Sequence, residues 1–122
     1  MTVLLSIKPE FADKIFNGTK RYEFRRAIFK REDVDRVLVY ASSPVQRVIG
    51  EFGIESILTD NVEAVWAATK KFAGITYSYY HDYFSGRDVA YAIKVSTPKL
   101  YPRKKKLSAY NIHSAPQSFV YV

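Results

Sequence analysis

Ten consecutive residues, Asn17-Gly18-Thr19-Lys20-Arg21-Tyr22-Glu23-Phe24-Arg25-Arg26, hold the densest set of side chains able to do chemistry. Asn17-Gly18 is a helix-stop signal, because glycine accepts the left-handed conformation that follows a last helical turn. Lys20 to Arg25 reads as a strand, with Tyr22 and Phe24 on one side and Arg21, Glu23 and Arg25 on the other. On the plainest reading Glu23 neutralises its arginine neighbours on a solvated face. Lys20 breaks that pattern, because the alternation puts it on the apolar side. A lysine on the inward face where a barrel strand begins sits at the barrel's mouth. There it can meet a phosphate, or act with a lowered pKa if partly desolvated. The residues alone leave both readings open, with the structural one as the default.

Other chemistries find little support. There is no Gly-rich phosphate loop, no HExxH and no EF-hand spacing. With no cysteine, thiolate nucleophiles, disulfides and zinc ribbons are excluded. His81 and His113 are the only histidines, and no carboxylate pair stands out as an acid–base couple. The expectation is a fold without metal or cofactor.

Charge and aromatic content point to a class of partner. The formal charge is +7 and uneven: residues 1–61 hold ten Lys/Arg against nine Asp/Glu, residues 62–122 nine against three. Ten Tyr, eight Phe and one Trp make 16% aromatics. A basic, tyrosine-rich surface suits a polyanion with stackable bases, although small barrels also use aromatics as core. The longest apolar runs, five residues as in Val37–Ala41 and Ala64–Ala68, are far short of the roughly 20 residues of a membrane-spanning helix. Met1 to Lys8 carries no export-signal pattern, so the expected compartment is the cytoplasm and no membrane partner is expected.

The elements that must position Lys20 follow from periodicity. Thr2–Ile7 reads as a strand, and Pro9 opens a helix with Phe11/Ile15 and Ala12/Phe16 on one stripe. Val34–Ala41 reads as a strand buried on both faces at its centre. Val48–Leu58 is a long strand that Gly50 and Gly53 interrupt as bulges or corners. Asp60-x-x-Glu63 has capping-box spacing before a helix with Val62, Val65, Trp66, Thr69 and Phe72 on one stripe. Thr76 caps a second helix with Tyr80 and Phe84 spaced i,i+4. Asp88–Val95 alternates, with Val89, Tyr91, Ile93 and Val95 on one face. Residues 98–115 read as basic and irregular with one helical turn near Leu107, and Phe119–Val122 as a last strand. The predicted order is β-α-β-β-β-α-α-β-loop-β in one domain over 1–122. That order argues against a doubly wound sheet and for an α+β fold: a small mixed, partly closed barrel of about six strands with helices at its ends.

Gly18-x-Lys20-x-x-Glu23-x-Arg25 is similar to the Gly-x-Lys-x-x-Glu-x-Arg signature of the ASCH domain family, a branch of the PUA-like superfamily. Ser6-Ile7-Lys8-Pro9, Tyr40-Ala41-Ser42-Ser43-Pro44 and Val48-Ile49-Gly50-Glu51-Phe52 resemble its flanking strands. Tyr83-Phe84-x-Gly86, Ala90-Tyr91-Ala92-Ile93 and Pro116-Gln117-Ser118-Phe119 resemble a subgroup of predicted transcriptional regulators. The resemblance implies a PUA-like barrel with a cleft beside the motif, RNA binding and, in some members, ribonuclease activity. In a branch that hydrolyses N4-acetylcytidine, the motif lysine acts with a threonine three residues later. Glu23 stands at that position here, which argues against the amidohydrolase reaction.

The leading expectation is an RNA-binding domain that recognises a nucleotide or modified base. Lys20, Glu23 and Arg25 would line its cleft, with Arg26, Lys30 and Arg31 nearby. Arg103, Lys104, Lys105 and Lys106 would form a second basic wall, and Tyr22 and Tyr40 would stack bases. The alternative is a metal-independent ribonuclease in the same cleft, with Lys20 and Glu23 as catalytic candidates. An amidohydrolase-like hydrolase and a protein-interaction module rank behind. The expected partner is RNA or another nucleic acid, with a homodimer as the oligomeric alternative.

Overall fold

In the computed structural model, which describes all 122 residues, the chain runs β1 (Thr2–Ile7), α1 (Pro9–Phe16), β2 (Tyr22–Arg25), β3 (Arg36–Ala41), β4 (Arg47–Asn61), α2 (Val62–Thr69), α3 (Tyr77–Tyr83), β5 (Val89–Lys105) and β6 (Phe119–Tyr121). Short 3-10 turns follow α2 and β5. The strands form one curled, mixed sheet in the order β2-β5-β4-β3-β1-β6. β1 pairs parallel to β3, and every other neighbour is antiparallel. This is the α+β half-barrel expected from the element order. No helix is long and apolar enough to cross a membrane.

Three apolar clusters hold the sheet. Val3, Leu5 and Ile7 of β1 and Val37 and Val39 of β3 pack with Ala12 and Ile15 of α1. On the other face, Leu4, Leu38, Tyr40 and Val48 are covered by Tyr101, Leu107, Tyr110 and Ile112. The centre of β3 is therefore buried on both faces. The third cluster joins Phe24, Ala90 and Ala92 to Val65, Ala73, Tyr80 and Phe84. Fully burying the Val, Leu, Ile and Phe side chains among these contributes about 1.5–3 kcal/mol each.

Several local expectations hold and four need correction. Gly18 takes φ +86° after α1, and the Thr76 side chain caps α3 by accepting from Tyr79 N. Register shifts at Val48/Gly50 and Glu51/Gly53 mark the bulges of β4. At Gly50 a Cβ would lie 2.5 Å from the Lys99 carbonyl oxygen and from the Phe16 ring, so only glycine lets α1 and β5 close there.

The cap of α2 is Asn61, not Asp60. β4 extends through Asn61, which delays the helix by one residue, and the Asn61 carboxamide accepts from Ala64 N at 2.8 Å. In β5 Ile93 is buried and Val95 packs on the core as the alternation implies, but Ala90 and Ala92 on the opposite face are buried too, because α2 and α3 cover it, and Val89 is exposed. Residues 98–105 are strand rather than irregular, held by β4 through pairs such as Glu51–Lys99 and Val48–Lys105. Lys20 lies ahead of β2, which begins only at Tyr22.

Candidate functional site

The cleft beside the motif is built by three elements. β1 and its exit supply Ser6, Ile7 and Lys8, β2 and its flanks supply Lys20 and Glu23 to Arg26, and the segment into α3 supplies Ile75, Tyr79 and Tyr83. Phe11 and Gln117 complete a cleft of about 240 Å³.

Lys20 is only 2% exposed. Its Nζ donates to the Ala73 carbonyl oxygen at 2.8 Å and stands over the rings of Phe24 and Phe11, 4.7 and 5.5 Å from their centroids. Those ring faces supply partial negative charge, but they do not replace water. Burial pulls the Lys20 pKa down to about 8; Glu23 opposes the shift, and Lys14 and Arg25 add to it. Roughly a tenth of the amine is then neutral at pH 7. The backbone that holds Lys20 is itself pinned. Arg21 N donates to Phe72 O at 2.9 Å, and Lys14 Nζ donates to Gly74 O at 3.1 Å. Gly74 takes φ +70°, and a Cβ there would come within 2.4 Å of the Lys20 Cβ.

Glu23 and Arg25 form a buried ion pair at 3.1 Å. The same Arg25 Nη2 donates to the Ser6 carbonyl oxygen at 2.8 Å. Arg25 Nε is the one buried side-chain nitrogen or oxygen without a partner. Arg21 does not join this pair; its guanidinium stacks on Phe72 at 4.1 Å. At the rim, Arg26 stacks on Tyr83 at 4.7 Å and Lys8 on Tyr79 at 5.2 Å. Tyr79 and Tyr83 are four residues apart, so one face of α3 presents both rings.

The site therefore offers hydrogen-bond donors and few free acceptors. Lys20 has three N–H bonds and one acceptor, and Arg25 keeps Nε unspent. The Glu23 carboxylate is already engaged by Arg25. Arg25 Nε is sealed from solvent, so a ligand oxygen, charged or polar, would meet the spare N–H bonds of Lys20, while the rim rings offer a surface for a planar group. No group of three or more His, Asp or Glu side chains comes together as a metal cage.

The other expected binding residues fall elsewhere. Tyr40 is buried under the C-terminal segment, and Tyr22 packs against the α2–α3 cluster. Neither lines the cleft, because the half-barrel needs both rings as core. Lys30 is exposed, and Arg31 is held by Asp33 at 2.8 Å. Arg103 to Lys106 end β5 and the turn after it, and none of them lines the cleft. The cleft residues that sequence reasoning missed include Lys8, Phe11, Tyr79 and Tyr83. The i,i+4 spacing of Tyr79 and Tyr83 was the signal for two of them; nothing local in the sequence shows that α1 and α3 converge.

Residues 5–99 match the family model of the ASCH domain. The chain is similar to crystal structures of ASCH from Zymomonas mobilis. For the unsubstituted protein the TM-score is 0.90 at 30% identity, covering 99% of this chain and 87% of that one. It is 37% identical over 89 residues to an ASCH domain-containing ribonuclease from Zymomonas mobilis subsp. mobilis, covering 73% of this chain and 60% of the relative. It is also 31% identical over 121 residues to the large ribosomal subunit protein uL22 of Ureaplasma parvum serovar 3, and there it spans only 39% of the relative's length.

Proposed function

The chain belongs to the ASCH domain family, and from that membership we propose that it is an RNA-binding domain whose Lys20 cleft holds a single nucleotide or modified base. The observation that carries this reading is a buried cation with unspent donors, Lys20, lining a small cleft beside the Glu23–Arg25 pair. Burying a cation without full hydrogen bonding is costly. A phosphate, ribose or base oxygen would relieve that cost by accepting from Lys20, in a charge-assisted bond. Stacking on Tyr79 or Tyr83 would hold the base plane, and Arg26 and Lys8 would meet flanking phosphates. In this reading residues 1–122 form one ASCH unit, related to the predicted transcriptional regulators and acting in the cytoplasm, with a homodimer as the oligomeric alternative.

A second reading, a metal-independent ribonuclease, draws support from the lowered Lys20 pKa and from the name of the Zymomonas relative. Cleavage without metal needs a base for the 2′-hydroxyl and cations for the phosphorane. Neutral Lys20 is the better base, since Glu23 is spent on Arg25. One experiment tests both readings. Lys20→Met should lower affinity for single-stranded RNA by at least about thirtyfold, the effect of losing one buried charged hydrogen bond. Equal affinity in the two proteins removes the cleft reading. Labelled RNA incubated with wild-type protein in EDTA either stays intact, which supports binding alone, or is cut, which supports the nuclease.

A further inference from the structure

The first turn of α1 divides two depressions. Lys8 and Phe11 line the cleft on one side. Pro9 and Asp13 line a second groove on the other, a depression of about 390 Å³ walled by Leu100, Tyr101, Pro102 and Lys104 of β5. Leu100 is 60% exposed there.

The same end of β5 is the most basic part of the molecule. Five of the eight residues from Lys99 to Lys106 are Lys or Arg, and all five are exposed. None of the five is in a salt bridge. Nearby carboxylates do not cancel them. Glu51 is taken by Arg36 and by the Tyr101 hydroxyl, which leaves Asp13 alone in the groove. β2 pairs with β5 as far as Lys94, and Val95 N still donates to Arg21 O; beyond Val95, β4 is the only strand beside β5. Pro98 and Pro102 remove two N–H donors from this stretch, which makes it a poor template for another strand. Its unpaired charge suits a polyanion, and its apolar floor of Pro9, Leu100 and Pro102 suits sugar and base faces.

We propose that a single RNA strand with one nucleotide in the cleft continues over the first turn of α1 into the second groove, where Lys99 and Arg103–Lys106 neutralise its backbone. This rests on the RNA-binding reading of the cleft. Lys99 pairs with Glu51 and Lys105 with Val48, so the bulged end of β5 gathers its five cations along roughly 10 Å of β4, a high local density of positive charge.

The test compares salt dependence for one mixed-sequence single-stranded oligoribonucleotide. The Arg103→Ala, Lys104→Ala, Lys105→Ala, Lys106→Ala combination should lose about three phosphate contacts. Its plot of log affinity against log salt should then be shallower by about 2, at about 0.7 per single-strand contact. Lys20→Met should lower affinity while changing that slope by no more than about one contact. Leu100→Glu, which leaves every cation in place, should weaken the oligonucleotide severalfold by putting a carboxylate on the path. An unchanged slope in the four-residue variant overturns the proposal whatever Lys20→Met does. An unchanged affinity in Lys20→Met, with the slope still lost in the four-residue variant, means that the cleft reading has failed. The basic strand is then a separate surface and the continuous path is wrong. A slope loss without any effect of Leu100→Glu contradicts a path through the groove.

Discussion

Lys20 and the lysines at the end of β5 carry the same charge in opposite surroundings. Lys20 is buried, held by one carbonyl oxygen and two aromatic rings, and its pKa is pulled down to about 8. Lys104, Lys105 and Lys106 are exposed and free of carboxylates. A charge in water is screened within about a Debye length and has little directional preference. A charge out of water is costly, and therefore sensitive to which acceptor arrives and from where. The cleft is thus built for discrimination and the strand end for attraction. The carboxylates divide in the same way: Glu23 forms a buried pair with Arg25, and Asp33 an exposed one with Arg31.

The strongest way to break this contrast is Glu23→Ala. It leaves the Arg25 guanidinium buried with only the Ser6 carbonyl as a partner, so it should destabilise the fold by about 3–5 kcal/mol in urea unfolding. A loss under 1 kcal/mol would mean that water reaches the pair. The second effect is a pH dependence. Folding lowers the Lys20 pKa from 10.5 to about 8, so between those values the unfolded chain binds more protons than the folded one. Stability from this group therefore rises with pH from about 8 to 10.5, by about 3 kcal/mol in all. Below that window both states are protonated and the full cost of burying the charge remains. Lys20→Met should abolish the rise and unfold no more easily than wild type at neutral pH. The smallest effect belongs to Asp33→Asn, which should leave the urea midpoint unchanged because water already screens that pair. A clear shift there would blur the line between buried and exposed charge.

Periodicity made most of the fold legible. β1, α1, β3 and both helices after β4 were readable from alternation, glycine stops and caps, and so was the mixed half-barrel. The far end of β5 was not, because Pro98 and Pro102 read as breaks; they are tolerated where one side of the strand has no neighbour. Lys20 was visible as a cation on an apolar face, and the motif around it gave Glu23, Arg25 and Arg26. The rest of the site depends on contacts distant in sequence. Ala73 and Gly74 lie more than fifty positions from Lys20, and only the curled sheet with α3 packed on it brings them to β2. Tyr22 and Tyr40 were misplaced for a related reason: a tyrosine built to stack on bases and one built into a small core have the same local sequence.

The most direct test is the titration of Lys20 itself, followed by NMR of its side-chain amine with Lys20→Met as the assignment control. In the free protein it should titrate near 8. Adding nucleotide or RNA should raise that value, because an oxygen acceptor in the cleft favours the ammonium form. A free-protein pKa near the ordinary lysine value, unmoved by RNA, would contradict the account of a buried cation waiting for its acceptor.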